Sequence, residues 1–223
     1  MFHVIFVEPE SSGNIGSLTR VMKNFNLKNL ILINPKCEVE SQESRKMSMH
    51  AWDIIKNARV VKDFKTAVKG IDFVIGTSAK TKKEYDAIKT AYSPREILPK
   101  LKEVKGEIAI VLGRESRGLT DEELKQCDVN LFIPTNPEYP TMNITHAAAV
   151  LFYELFSAKE SKTRKANLKQ KQALIKTAEQ LIEKTDFKNK KEAKQVMKNV
   201  INRALVSGKE AQTLIGVLKK FVQ

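Results

Sequence analysis

Cysteine is scarce in this chain. Cys37 and Cys127 are the only two, far apart, and neither has a second thiol or a histidine spaced to share a metal. That excludes a disulfide scaffold, leaves no metal site to expect, and predicts reduced, structural thiols of the kind found in the cytosol. The N-terminus lacks a basic leader followed by a cleavable apolar segment, and no apolar run approaches membrane-spanning length. The expectation is therefore a cytoplasmic protein with no membrane partner. "AAAVLFYELF" comes nearest to a span, but Glu154 interrupts it and it reads as a core helix. The glycine fingerprint G-x-G-x-x-G is missing after the first strand-like run, which disfavours a nucleotide-dependent dehydrogenase.

What is present is enough apolar residue, 42% of 223, to bury a real core. The formal charge of +13 is unevenly spread: residues 1–158 hold 22 Lys/Arg and 20 Asp/Glu, whereas residues 159–223 hold 17 and 6. A Lys-rich tail at +11 without an aromatic run points to a polyanion such as RNA or DNA; the plainer alternative is a solvated, highly charged helical surface.

Five short apolar runs, at residues 2–7, 29–34, 72–77, 108–113 and 129–134, are rich in Val, Ile, Leu or Phe and bounded by Gly, Pro, Asn or Asp, as strands buried on both faces should be. Helical stretches lie between and after them: "SLTRVMKNF", "SMHAWDIIKNA", "SPREILPKLKEV" and "THAAAVLFYELF". This alternation predicts an α/β fold with a parallel sheet flanked by helices. Polar and glycine residues gather just after the strands, at 8–20, 77–78, 113–118 and 135–143, and ligands of open α/β sheets bind at those carboxyl ends. One site built from four segments is expected.

A domain of residues 1–158 and a small basic all-α extension of residues 159–223 are expected, joined near "KESKTRK". The extension shows three apolar stripes: Leu168, Ile175, Ala178 and Ile182; then Ala193, Met197, Val200, Ile201 and Ala204; then Ala211, Leu214, Leu218 and Phe221. Ser207 with Glu210 forms a capping-box pattern ahead of the third.

Three loops carry chemistry. "SGNIGSLTR" offers Asn14 as an N-cap and sets Arg20 about one and a half turns further on; ordinary turn chemistry and a surface arginine would account for it equally well. "LGRESRGLTDEEL" leaves a strand through Gly113 and presents Arg114, Glu115 and Arg117 before a capping box at Thr120 and Glu123. Glu115 is read either as an ion-pair partner for a nearby arginine or as the group that orients Arg20. "IPTNPEYPTMNITHAAAV" is stiffened by its prolines, with Asn143 and Thr145 leading into a helix near Ala147, and a rigid loop exposing backbone amides and carbonyls suits an adenine edge.

These three stretches together resemble the three motifs of SpoU-type (TrmH-like) RNA 2'-O-ribose methyltransferases of the SPOUT superfamily, in order, over about residues 1–157. "NPEYPTMNITHA" and "SRKMSMHAWDIIKNARV" look most like the TrmJ branch, which methylates nucleotide 32 of the tRNA anticodon loop. The resemblance implies S-adenosylmethionine as cofactor, a C-terminal trefoil knot that periodicity cannot reveal, a homodimer and tRNA as partner. It implies Arg20 as the catalytic arginine, with Asn14, Glu115 and Asn143 shaping the site. It implies a donor contacting Thr77, Ser78 and Ala79, then Gly113, Ile133 and Pro140, Thr141 and Met142.

His3 and His50 fall outside the matched motifs and His146 opens an apolar helix, so all three are read as structural. The family pattern gives Arg20 the role of base, yet arginine holds its proton in nearly every protein setting. A cationic Arg20 stabilising the developing alkoxide, with the proton passing to an RNA phosphate or water, fits arginine better. Arg114 and Arg117 are expected at the site mouth to read bases, and the basic tail to hold phosphates. Two rivals share this fold: an enzyme of the same chemistry acting on ribosomal RNA, and a binding protein that has lost catalysis.

Overall fold

The apolar runs assemble into one parallel sheet in a computed structural model of the chain, which describes residues 1–79, 91–101, 106–157, 166–204 and 206–222. In chain order the elements are β1 (Phe2–Val7), α1 (Ser12–Asn24), β2 (Asn29–Ile33), α2 (Gln42–Ser48), a 3-10 turn (Met49–Ala51), α3 (Trp52–Lys56), β3 (Arg59–Val61), α4 (Phe64–Ala67), β4 (Phe73–Thr77), β5 (Ala91–Tyr92), α5 (Pro94–Leu101), β6 (Ile108–Leu112), α6 (Asp121–Gln126), β7 (Val129–Leu131), α7 (Ile144–Ser157), α8 (Leu168–Glu183), α9 (Lys190–Arg203) and α10 (Gly208–Val222). The seven strands lie in the order β3-β2-β1-β6-β4-β7-β5, every pair parallel.

Strict alternation sends successive side chains to opposite faces. Val4, Phe6, Leu30, Leu32, Ile110 and Ile75 join one core with residues of α1, α3, α5 and α7; Ile5, Val7, Ile31, Ile33, Val111 and Val74 join another under α4 and α6. Phe6, Phe73 and Phe152 are almost fully buried, each adding about 2–3 kcal/mol of transfer free energy. All five expected strands are present, the last ending at Leu131 instead of residue 134. The two strands beyond those five are short edges: β3 is largely exposed and β5 has two residues, so neither leaves an apolar run to read.

Helix starts differ from expectation in two places. Ser11, not Asn14, caps α1, its side chain accepting from the Asn14 N–H, so Asn14 sits in the first turn. α7 begins at Ile144, not near Ala147, because Asn143 Oδ1 takes the Thr145 N–H at 2.8 Å and opens the helix there. The stretch "SMHAWDIIKNA" is broken: Met49 adopts φ +50 and separates α2 from the 3-10 turn and α3.

The last three helices form a small cluster around Leu174, Ala178, Ile201 and Ala211. The stripes expected there are only partly buried: Met197, Val200, Leu214 and Phe221 stay exposed. A lysine takes one of the inner positions instead. Lys171 is buried, its ammonium 4.4 Å from the Phe73 ring centroid and donating to the Asp72 carbonyl at 3.2 Å, while the Leu168 N–H donates to Asp72 Oδ1 at 3.1 Å. A long stem with an anchored head can fill a core position that a count of apolar residues passes over. Asp72 immediately precedes β4, so the basic helices dock at the amino ends of the strands.

Candidate active site

At the opposite, carboxyl ends of β1, β6, β4 and β7, adjacent in the sheet, the chain turns into the loops that bear the polar residues. β4 delivers Thr77 and Ser78, held by Thr77 Oγ1 donating to the Val111 carbonyl at 2.8 Å and the Ser78 N–H donating to the Leu131 carbonyl at 2.8 Å. β6 delivers Gly113, which packs so closely that a Cβ there would lie 2.3 Å from the Gly118 carbonyl carbon. The loop folds back on itself through an Arg114–Gly118 bridge. The loop after β7 is braced internally: Thr135 Oγ1 donates to the Pro140 carbonyl at 3.0 Å and the Tyr139 N–H to the Asn136 carbonyl at 3.0 Å.

Between these loops lies a cleft of about 390 Å³. All eight residues expected around a methyl donor line it: Thr77, Ser78, Ala79, Gly113, Ile133, Pro140, Thr141 and Met142. Leu119, Leu124, Leu131, Ile144 and Leu151 supply an apolar floor that no motif announced, because their inward direction depends on how the loops close.

Three of the four expected catalytic residues form one hydrogen-bonded chain. Thr145 donates to Asn143 Oδ1 from both its N–H (2.8 Å) and its hydroxyl (2.7 Å), which leaves Asn143 Nδ2 to donate to Asn14 Oδ1 at 3.3 Å. Asn14 Nδ2 is then left to donate to Glu115 Oε1 at 3.2 Å. A backbone N–H at one end and a carboxylate at the other set the orientation of both amides. Glu115 also accepts the N–H groups of Glu10 (2.9 Å) and Ser11 (3.1 Å). Its carboxylate is thus engaged with the start of α1, and among the described residues no arginine pairs with it.

Arg20 stands apart from this chain. It is exposed on α1, six residues beyond Asn14 and so about 9 Å along the axis. Among the described residues its side chain makes no hydrogen bond or ion pair, so the guanidinium is open to an incoming anion. It shares a helix face with Gly16 and Lys23, where Gly16 closes against the Ser44 carbonyl and Lys23 pairs with Asp53 at 2.7 Å.

Arg114, expected at the mouth, is buried between Glu8 and Glu123 and cannot reach a base. The Arg114 hydrogen bond holds the Glu8 carboxyl down at about 2. Arg117 keeps a side chain that is 69% exposed and pairs loosely with Glu8, its Nη2 lying 3.7 Å from Oε2. His3 pairs with Glu107 at 2.6 Å at the far end of the sheet, in keeping with a structural role. Burial pushes the Cys127 thiol well above the ordinary range, which leaves it inert. Among the described residues no group of three His, Cys, Asp or Glu gathers to hold a metal, and no helix is long and apolar enough to cross a membrane.

The model of the SpoU rRNA Methylase family matches residues 1–153, the segment that builds the sheet, the cleft and the Asn14–Glu115–Asn143 chain. The chain belongs to the SpoU methylase family. Among its relatives, the tRNA (cytidine-2'-O-)-methyltransferase TrmJ of Methanocaldococcus jannaschii is 39% identical over 228 residues, covering 98% of this chain and 99% of that one. The protein of the same name from Sulfolobus acidocaldarius is 33% identical over 223 residues, with 97% and 92% covered. The structure of a probable methylase family protein from Haemophilus influenzae Rd KW20 matches with TM-score 0.71 and 34% identity over 99% of this chain and 95% of its own. The SpoU methyltransferase AviRb from Streptomyces viridochromogenes, solved in complex with the cofactor AdoMet, shares the fold with TM-score 0.54 and 20% identity over 70% of this chain and 59% of its own. In this SpoU methylase the similarity to the two TrmJ proteins continues through α8, α9 and α10.

Proposed function

We propose that this protein is a tRNA 2'-O-ribose methyltransferase that uses S-adenosylmethionine and modifies cytidine or uridine at nucleotide 32 of the anticodon loop. The observation that carries the reading is the convergence of three separate loops on one cleft, tied together by the Asn14–Glu115–Asn143 chain. The archaeal relatives named for cytidine 2'-O-methylation of tRNA, similar over nearly their whole length, support tRNA over ribosomal RNA.

The cleft suits a sulfonium nucleoside. Its volume lies in the range of ordinary small-molecule sites, its floor is apolar, and the close approach of Gly113 to Gly118 and Leu119 brings backbone groups from both arms of the β6 loop to its rim. Thr77, Ser78 and Ala79 would hold one side of the donor, Gly113 and Ile133 its base, and Pro140, Thr141 and Met142 the other side. S-adenosylmethionine, when bound, supplies an electrophilic methyl group. Asn14, Glu115 and Asn143 shape the approach to it and keep the start of α1 against the cleft. Arg20 stays cationic and stabilises the oxyanion forming on the ribose, with the proton passing to an RNA phosphate or water. Substitution in line makes positioning the larger part of catalysis.

The donor loops belong to a trefoil knot, and the enzyme acts as a cytoplasmic homodimer. The half-exposed Tyr153 and Phe156 on α7 support such pairing. Residues 159–223 form a tRNA-binding extension whose lysines contact phosphates. Its docking at the amino ends of the strands favours contact with the tRNA body at a distance from the target nucleotide.

The test is methyl transfer from labelled S-adenosylmethionine to unmodified tRNA and to ribosomal RNA, with the product mapped and a chain truncated after residue 158 run in parallel. Label at tRNA nucleotide 32, with truncation weakening tRNA affinity more than turnover, is expected. Label in ribosomal RNA alone would overturn the substrate, and donor binding without transfer to either would favour a binding protein.

A further inference from the structure

The guanidinium of Arg114 lies between two carboxylates. Nε donates to Glu8 Oε2 at 2.5 Å, and Nη1 and Nη2 donate to Glu123 Oε2 and Oε1, each at 3.0 Å. Nη1 also reaches the Gly118 carbonyl at 3.2 Å. A planar fork can serve one carboxylate with two donors and a second with its third; an ammonium in the same place cannot.

Glu8 is where β1 gives way to the loop before α1, and its φ of +43 is a left-handed conformation uncommon outside glycine. Such backbone persists where its surroundings over-determine it. Here they do: the Glu8 N–H donates to the Ile33 carbonyl at 2.7 Å, Oε1 accepts from Asn34 Nδ2 at 2.9 Å, and Oε2 is held by Arg114. The next two residues of the β6 loop repeat the pattern on the next residues of the β1 loop. Glu115 accepts the N–H groups of Glu10 and Ser11, and Ser116 Oγ donates to Glu10 Oε1 at 2.6 Å. Residues 114, 115 and 116 thus clasp the segment from 8 to 11 and line the cleft with their other side.

We propose that Arg114 is a positioning residue for methyl transfer: by pinning Glu8 it fixes the start of α1, and with it Arg20, relative to the donor cleft. The inference rests on the methyltransferase reading above. α1 is continuous from Ser12 to Asn24, so a change of backbone at Glu8 is carried along the helix to Arg20.

The experiment compares wild type with Arg114→Lys and Glu8→Gln in the full chain. Arg114→Lys keeps the charge but loses the fork. Its kcat on tRNA should fall about ten- to hundredfold, as small misplacements do, while the Kd for S-adenosylmethionine and the KM for tRNA change less than about threefold. Amide hydrogen exchange at Glu10 and Ser11 should be faster, and Glu8→Gln should show the same split at smaller amplitude, which decides the matter should the lysine variant fail to fold. Unaltered exchange at those amides, or donor affinity falling in step with turnover, would overturn the proposal. A wild type that transfers methyl to neither tRNA nor ribosomal RNA would instead overturn the methyltransferase reading, and the exchange rates would still decide whether Arg114 holds the loop.

Discussion

Asn14 and Asn143 meet amide to amide at 3.3 Å across 129 residues of sequence. Thr145 on one side and Glu115 on the other leave each amide a single orientation. Asn14→Asp keeps the size, removes the donor and sets a second carboxylate against Glu115, where like charges repel. Turnover should fall about a hundredfold, as when groups that act as a unit are broken, with donor affinity nearly unchanged; steady-state kinetics and calorimetric titration check the pair of values.

Arg20 is exposed and bears no part of the core, so Arg20→Ala should change stability by less than about 0.5 kcal/mol while abolishing transfer. Arg20→Lys separates the two chemical roles. A cationic stabiliser predicts weak activity that does not climb with pH above neutrality. Activity rising at alkaline pH would show that deprotonation of the side chain helps, and would count against a purely cationic Arg20.

Gly113→Ala should open the cleft wall, because the added Cβ meets backbone at Gly118 and Leu119, at 2.3 and 2.4 Å, where no side chain can swing aside. Overpacking of this kind costs about 1–3 kcal/mol, and donor binding should weaken with it. Gly216→Ala is the control: nothing lies within 4 Å, and the position is inside α10, so thermal unfolding should move up slightly.

The Glu8–Arg114 pair makes stability depend on acid. Glu8 titrates at about 2 when folded, below the 4.5 of an unperturbed glutamate, chiefly through its hydrogen bond from Arg114. A folded pKa below the unfolded one means the pair's stabilisation is complete above about pH 4.5 and is lost as pH falls toward 2. Acid unfolding followed by circular dichroism should show a shallower stability loss across that window in Glu8→Gln than in wild type.

Much of the sheet was legible because its central strands are buried on both faces and leave unbroken apolar runs, as at residues 108–112. β3 and β5 were not, since short edge strands carry no such signature. The loop residues of the site were legible as polar clusters at strand ends, and Asn14, Glu115 and Asn143 do come together. Their pairings were not: whether Glu115 meets Arg20 or the amides of Glu10 and Ser11 depends on the packing of β1 beside β6. Arg114 was misread, and Lys171 passed over, for a related reason: charged residues look exposed in a sequence unless a buried partner such as Glu123, or an aromatic face such as Phe73, is already known.

The central claim is methylation of a ribose hydroxyl, and a 2'-O-methyl group blocks alkaline cleavage at its own nucleotide. The decisive measurement is an alkaline hydrolysis ladder of end-labelled tRNA after reaction with S-adenosylmethionine. The account predicts one gap, at nucleotide 32, for wild type and none for Arg20→Ala. Methyl incorporated with an unbroken ladder would place it on a base and contradict the account.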